Sequence, residues 1–363
     1  EWGITNLKDS SGKNTFVGSA DPSNIWKKNG KYYLLTGNLL VLRKFGSKGK
    51  GLPANKEENI LPKDSLRYQG DRLYLFESEN LVDWSYLNEF YDSNREWTSK
   101  TEDNMCPSFL PLPSKPSGGK SSSKHLLLFI SHNRGCQYYV GDYKKNNFYP
   151  NYHGRMSWND NGFFAPEAMI DGNGRQIMWA WVFDYRPKHM VSKSGWSGTY
   201  SLPRSLWLGK DGTLRIRPVE ELKSLRINEK SFKNLKVNPE TKINLDDFNS
   251  GLMELEVIIE PNEAHKFGLE IGVSEDGLEK TVIYYDSLEN RIVVDNRDSG
   301  LDLGNKIVEK APLKLKVNEN INLRVFIDNS IIEVFANDRQ AICRRIYPEK
   351  KGNGLNLFSI GGD

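Results

Sequence analysis

The chain has 363 residues, room for two domains of ordinary size, with 37% hydrophobic and 27% charged residues and a mean hydropathy of −0.61. Fifty Lys and Arg against 47 Asp and Glu leave a net charge of +3, with bases interspersed among acids, which excludes the basic stripe of a nucleic-acid binder. Apolar runs are about as short as 126–130, far below the roughly 18–20 residues of a spanning helix, so membrane insertion is excluded.

The chain opens Glu1-Trp2-Gly3-Ile4, with no initiator Met and no signal-peptide core, so the native N-terminus is expected upstream. From there the signal is almost entirely β. Runs at 31–36, 72–76, 125–131 and 137–143 are short, aromatic or aliphatic, and bounded by Gly, Asn, Asp or Pro. Hairpin turns are expected at Asn29-Gly30, Gly70-Asp71, Asp171-Gly172-Asn173-Gly174 and Asp211-Gly212. The low-complexity stretch 114–124 (SKPSGGKSSSK) reads as a surface loop. A short helix is expected over 219–225, after Pro218. Beyond it the chain alternates strictly, at 253–259, 314–317, 322–327 and 331–335, as in a sandwich of antiparallel strands. The expected fold class is all-β, in two domains, 1–226 and 227–363. Three cysteines, Cys106, Cys136 and Cys343, are too few and too scattered for a zinc cage or a disulfide framework, though one pair is possible.

Chemistry-bearing groups concentrate in the first domain. Asp21, in Ala20-Asp21-Pro22-Ser23, sits at a strand start, either as a turn residue or as a carboxylate facing a cleft. Glu102-Asp103-Asn104-Met105-Cys106-Pro107 sets two carboxylates beside a Cys-Pro step. Two carboxylates brought together in space are the minimum equipment for glycoside hydrolysis. Denser patterns follow at Phe164-Ala165-Pro166-Glu167 with Gly174-Arg175-Gln176-Ile177-Met178-Trp179-Ala180-Trp181, and from Gly195-Trp196 to Arg204. Another is Asp328-Asn329-Ser330-Ile331-Ile332-Glu333-Val334-Phe335-Ala336-Asn337-Asp338.

Together these segments, over roughly residues 20 to 348, resemble glycoside hydrolase family 32, the invertase, inulinase and levanase family. The resemblance implies a five-bladed β-propeller followed by a C-terminal β-sandwich, acting on β-fructofuranosyl linkages with retention and without metal or organic cofactor. It makes Asp21 the transition-state stabiliser of an Arg-Asp-Pro motif. Cys106, Glu167 and Trp196 become substrate-binding residues, and Glu333 a strand or interface residue without chemistry. The expected partner is a fructan or fructose-containing oligosaccharide, and polymeric substrate implies a secreted or periplasmic enzyme.

Three departures qualify the resemblance. The family's first-blade motif, Trp-Met-Asn-Asp-Pro-Asn-Gly, has no match in residues 1–20, so the first blade is expected to be incomplete. The nucleophile then lies upstream or on another chain; promoting Asp21 to nucleophile is the rival alignment. Ala20 replaces the Arg of Arg-Asp-Pro, removing a cationic donor to sugar hydroxyls. Met105 replaces the acid/base Glu, and Met transfers no proton. Glu102, on its longer arm, is the favoured acid/base candidate, and Asp103, which keeps the strand parity of position 105, is the alternative. A binding protein without turnover, and a propeller glycosidase acting on arabinose or xylose, are the alternatives. The five histidines, His125, His132, His153, His189 and His265, form no ligand pattern and read as structural or surface residues.

Overall fold

The computed structural model describes residues 3–5, 11–12, 17–45, 66–245, 251–350, 352 and 354–362. Much of the segment 1–20, where the first-blade motif has no match, lies outside them. The chain divides into two compact units, Glu1–Ala180 with Leu206–Leu214, and Trp181–Ser205 with Arg215–Asp363.

The first unit is built on antiparallel sheets. One runs in the order Gly3–Thr5, Val17–Ala20, Lys31–Asn38, Tyr74–Ser78, Ser85–Glu89, with Trp26–Lys28 paired to Lys31–Asn38. Another is a four-stranded meander of Asn147–Arg155, Gly135–Lys144, Ser121–Ser131 and Met105–Pro113. These strands form because β-branched, aliphatic and aromatic residues dominate them and Gly or Asn closes the turns: Asn29 and Gly30 both have positive φ between Trp26–Lys28 and Lys31–Asn38. The core of the unit joins Tyr33, Leu35, Leu73, Leu75, Phe90, Phe109, Leu127 and Phe129, with Trp26 and Trp97 packed on it. Phe90 meets Phe109 edge-on, with centroids 4.9 Å apart and planes at 87°, an arrangement worth about 0.5–1.5 kcal/mol beyond burial. Buried among these rings, Asp71 accepts hydrogen bonds from Tyr91 and Tyr139, each at 2.7 Å, and from Ser93 and Thr98. A further sheet, in the order Phe163–Ile170, Gln176–Val182, Arg204–Leu208, Leu214–Pro218, has strands that contribute residues to both units.

In the second unit a six-stranded sheet runs Lys242–Leu245, Gly354–Ile360, Lys266–Val273, Thr281–Asp286, Arg291–Asp295, Val308–Pro312, and a four-stranded sheet runs Leu252–Ile259, Ile321–Asp328, Ile331–Ala336, Gln340–Arg345. Strict alternation along Ile321–Asp328 buries Ile321, Leu323, Val325 and Ile327 and turns Asn322 and Asp328 outward. Asn329 takes a left-handed turn (φ 50°) before Ile331–Ala336.

Two local expectations change, one is met in tighter form, and one helix is new. Residues 314–317 are not a strand: the preceding strand ends at Pro312, only Leu313 is buried, and Val317 is 93% exposed. The polar run 114–124 is not all loop, because Ser121–Ser131 already pairs from Ser121 with Pro113. The short helix exists, as a 3-10 turn at Glu220–Leu225. Leu39–Phe45 is an α-helix that an unbroken aliphatic run concealed. All three cysteines are free thiols.

Candidate active site

Three pre-proline residues of the first unit repeat one backbone device; Asp21 directly follows the strand Val17–Ala20 and does not start one as expected, whereas Cys106 and Ala165 lie near the starts of Met105–Pro113 and Phe163–Ile170. Asp21, Cys106 and Ala165 each precede a proline and each is left-handed, at φ 49°, 49° and 43°. Non-glycine residues avoid that region, and the residue before proline is further restricted, so each is held there by its surroundings. After Met105 the pairing with Ser121–Ser131 slips until Ser108, which swings Cys106 out of the alternation. Its thiol then donates to Asp21 Oδ2 at 3.6 Å, while Met105 is 1% exposed in the core. The Asp21 turn is pinned to Lys31–Asn38 by Ser23, whose amide donates to Leu35 O at 2.8 Å and whose hydroxyl accepts from Leu35 N at 3.0 Å. That strand approaches the Met105 strand closely at Gly37, where a Cβ would lie 2.4 Å from the Asn104 carbonyl oxygen.

Glu167 links the Asp21 turn to the Met105–Pro113 strand. Its Oε1 accepts from Ser108 Oγ at 2.9 Å, from Ala168 N at 3.1 Å and from Asn24 Nδ2 at 3.3 Å. Among the described residues Oε2 has no hydrogen-bond partner. Desolvation of the carboxyl raises its pKa, against the lowering by Ser108 and the Ala168 amide. The Cys106 thiol is pushed up to about 12, first by burial and then by the negative charges of Asp21, Asp103 and Glu167. Three of the sequence-predicted carboxylates therefore act on one thiol.

Glu102 and Asp103 are both buried and both committed. The strand begins only at Met105, so its parity does not extend back to either of them. Glu102 forms an ion pair with Arg155 (Nη2–Oε2 2.9 Å) and accepts from Ser99 N at 3.0 Å and Gln137 Nε2 at 3.1 Å. Gln137 in turn contacts His153 Nε2 at 2.8 Å, and burial, with Arg155 nearby, lowers that imidazole to about 3. Asp103 is clamped by one residue: His132 N donates to Oδ1 at 2.8 Å, and His132 Nδ1 lies 2.6 Å from Oδ2. Burial alone would lower the His132 pKa; the hydrogen bond and charge of Asp103, with Asp21 adding, outweigh it and raise the pKa above the ordinary value.

Trp196 belongs to the second unit, just past the helix Lys188–Ser194, which Gly195 ends in the left-handed region. The ring is half exposed, with the Arg186 guanidinium 4.0 Å over its face. Arg186 is fixed by Asp184 (Nη2–Oδ2 2.6 Å); burial would raise the Asp184 pKa, but Arg186 holds it down at about 2. The same unit holds a cavity of about 1680 Å³, lined by aliphatic residues such as Leu225, Leu252 and Ile258 and by polar ones such as Arg226 and Glu256. None of the family-motif carboxylates Asp21, Asp103 and Glu167 lines it, so the carboxylate cluster and not this hollow marks the candidate site. Glu333, also in this unit, is buried against Arg204 (2.6 Å) and Leu202 N (2.6 Å).

Sequence reasoning passed over His132 and Arg155. The only local signal for His132 is its place at the end of the apolar run 126–130, just before a Gly turn. Its partner Asp103 is 29 residues away, beyond any motif window.

Two family models match the chain: "Glycosyl hydrolases family 32 N-terminal domain" over residues 63–218 and "Glycosyl hydrolases family 32 C terminal" over 221–363. The levanase of Bacillus subtilis is 31% identical over 319 residues, covering 81% of this chain and 45% of that protein. The sucrose-6-phosphate hydrolase of Zymomonas mobilis is 30% identical over 322 residues, covering 82% of this chain and 59% of that protein. The chain thus spans about half the length of these curated relatives. Among solved structures, fructan 1-exohydrolase IIa of Cichorium intybus aligns over 93% of this chain and 68% of its own, with a TM-score of 0.75 and 21% identity. The exo-inulinase of Aspergillus awamori aligns over 93% and 64%, with a TM-score of 0.71 and 19% identity. At those identities the likeness speaks for the fold, a β-propeller followed by a β-sandwich.

Proposed function

The chain belongs to glycoside hydrolase family 32, and from that premise we propose that the protein hydrolyses β-fructofuranosyl linkages of fructans or sucrose-type sugars, with retention. The observation that carries the reading is the Cys106–Asp21 contact at 3.6 Å, with the charges of Asp103 and Glu167 also acting on that thiol. A fructosyl carbon developing positive charge is stabilised by such a cluster. In this reading Asp21 is the transition-state stabiliser, Cys106 and Glu167 line the fructose pocket, and Trp196 offers a ring to sugar. Of the two acid/base candidates the reading takes Asp103, which faces His132, because Glu102 is committed to the Arg155 ion pair. The nucleophile is a carboxylate outside these residues. The proposal includes a five-bladed propeller, a division from the sandwich near residue 226, and export to meet polymeric substrate.

Reducing-sugar release from levan, inulin and sucrose by the natural full-length protein tests the reading. Fructose release is expected, and Asp21→Ala should lower kcat by about 10²–10³-fold with little change in KM. Activity on arabinan with none on any fructan would refute it. The buried Met105 at the position of the family's acid favours one second reading, a sugar-binding protein without turnover. Calorimetric binding of fructo-oligosaccharide with no product would establish that instead.

A further inference from the structure

Asp103 has both carboxylate oxygens filled by His132, and a carboxylate so occupied is badly placed to meet a leaving oxygen itself. The imidazole it holds is not. His132 is a quarter exposed, its ring rests edge-on against Phe164 (5.6 Å, 71°), and its carbonyl is fixed by Asn161 Nδ2 at 2.7 Å. Nδ1 is taken by Asp103, and among the described residues Nε2 makes no hydrogen bond. Resting on the reading above, we propose that His132 Nε2 is the proton donor to the leaving group, replacing the glutamate that Met105 displaces, with Asp103 as its positioning residue.

The geometry is that of a carboxylate-oriented imidazole: a buried acid fixes tautomer and ring, and stabilises the charged form. The neighbouring elements supply Asp103 from the segment before Met105–Pro113 and Asp21 from the turn before Trp26–Lys28, both negative, and the uncharged Phe164 and Asn161. Both charges favour imidazolium, the form needed before bond cleavage. As the bond from the anomeric carbon to the leaving oxygen breaks, its electron pair goes to that oxygen, which takes the proton from Nε2 and departs as a neutral alcohol. An enzyme carboxylate takes the anomeric carbon. When water attacks that carbon, it gives one proton to Nε2, the carboxylate leaves, and imidazolium is restored.

The test compares wild-type full-length protein with His132→Gln on sucrose and on nitrophenyl β-fructofuranoside, whose leaving group departs without a proton. The variant should lose about 10²–10⁴-fold in kcat/KM on sucrose, yet remain within about tenfold on the nitrophenyl substrate. The alkaline limb of the wild-type profile should reflect loss of the His132 proton and disappear in the variant. In Asp103→Asn the limb should move to lower pH, in step with the His132 titration followed by NMR; this arm decides the matter if His132→Gln fails to fold. Equal losses on both substrates, unchanged sucrose hydrolysis, or an alkaline limb indifferent to Asp103→Asn would overturn the donor role. A wild type silent on every fructosyl substrate would overturn the parent reading, and the donor role with it.

Discussion

Adjacent in sequence, Glu102 and Asp103 are nearly equally buried, and they differ in what answers their charge. Glu102 meets a permanently charged guanidinium, whereas Asp103 meets an imidazole whose proton it holds more firmly than usual. One pair is therefore fixed and the other is switchable, which assigns structure to the first and chemistry to the second. Removing the guanidinium strands a buried carboxylate. Arg155→Met should destabilise the protein by about 3–5 kcal/mol in urea unfolding monitored by tryptophan fluorescence. If the loss stays near that of an exposed pair, below about 1 kcal/mol, Glu102 is better hydrated than its burial indicates.

At the scale of the element, the pre-proline residues Asp21, Cys106 and Ala165 trade backbone ease for side-chain aim. A left-handed non-glycine residue costs about 1–2 kcal/mol, and here three occur at matching places before proline. Ala165, with no chemistry of its own, isolates that cost. Ala165→Val should destabilise by at least about 1 kcal/mol more than Ala165→Gly, measured by thermal unfolding of the two variants. Equal melting temperatures would mean that the turn relaxes without strain. The strands themselves were legible because alternation and turn residues are local: 31–36, 137–143, 322–327 and 331–335 all lie within observed strands. The alternation at 314–317 misled because no partner strand accepts it. The strand-parity argument for Asp103 did not apply, because the strand starts at Met105 and its ladder slips at once. The site was half legible. Asp21 and Glu167 could be found from motifs, but Arg155 lies 53 residues from Glu102 and His132 lies 29 from Asp103, contacts that only the hairpins between them create.

For the whole molecule, the sequence order of the family models and the spatial order of the chain differ. The models meet between residues 218 and 221, whereas the second compact unit also takes Trp181–Ser205 from upstream of that point. Within that unit Arg345 Nε donates to Phe183 O at 3.0 Å, and Glu333 is answered by Arg204 and Leu202. A fragment of residues 227–363 alone would lose every one of these partners. It should be poorly soluble or loosely folded by near-UV circular dichroism, and Glu333→Gln should restore order to it in part, since a neutral amide is easier to leave unanswered. A well-folded wild-type fragment would show that the pairing is dispensable. The buried Arg204–Glu333 pair also bears on how such a protein can diversify. Because each half of the bond is written on a different side of the family boundary, the sandwich cannot be exchanged between lineages as a free cassette. A donor sequence is accepted only if it brings an acid to meet the host's arginine, so the two segments are bound to inherit together.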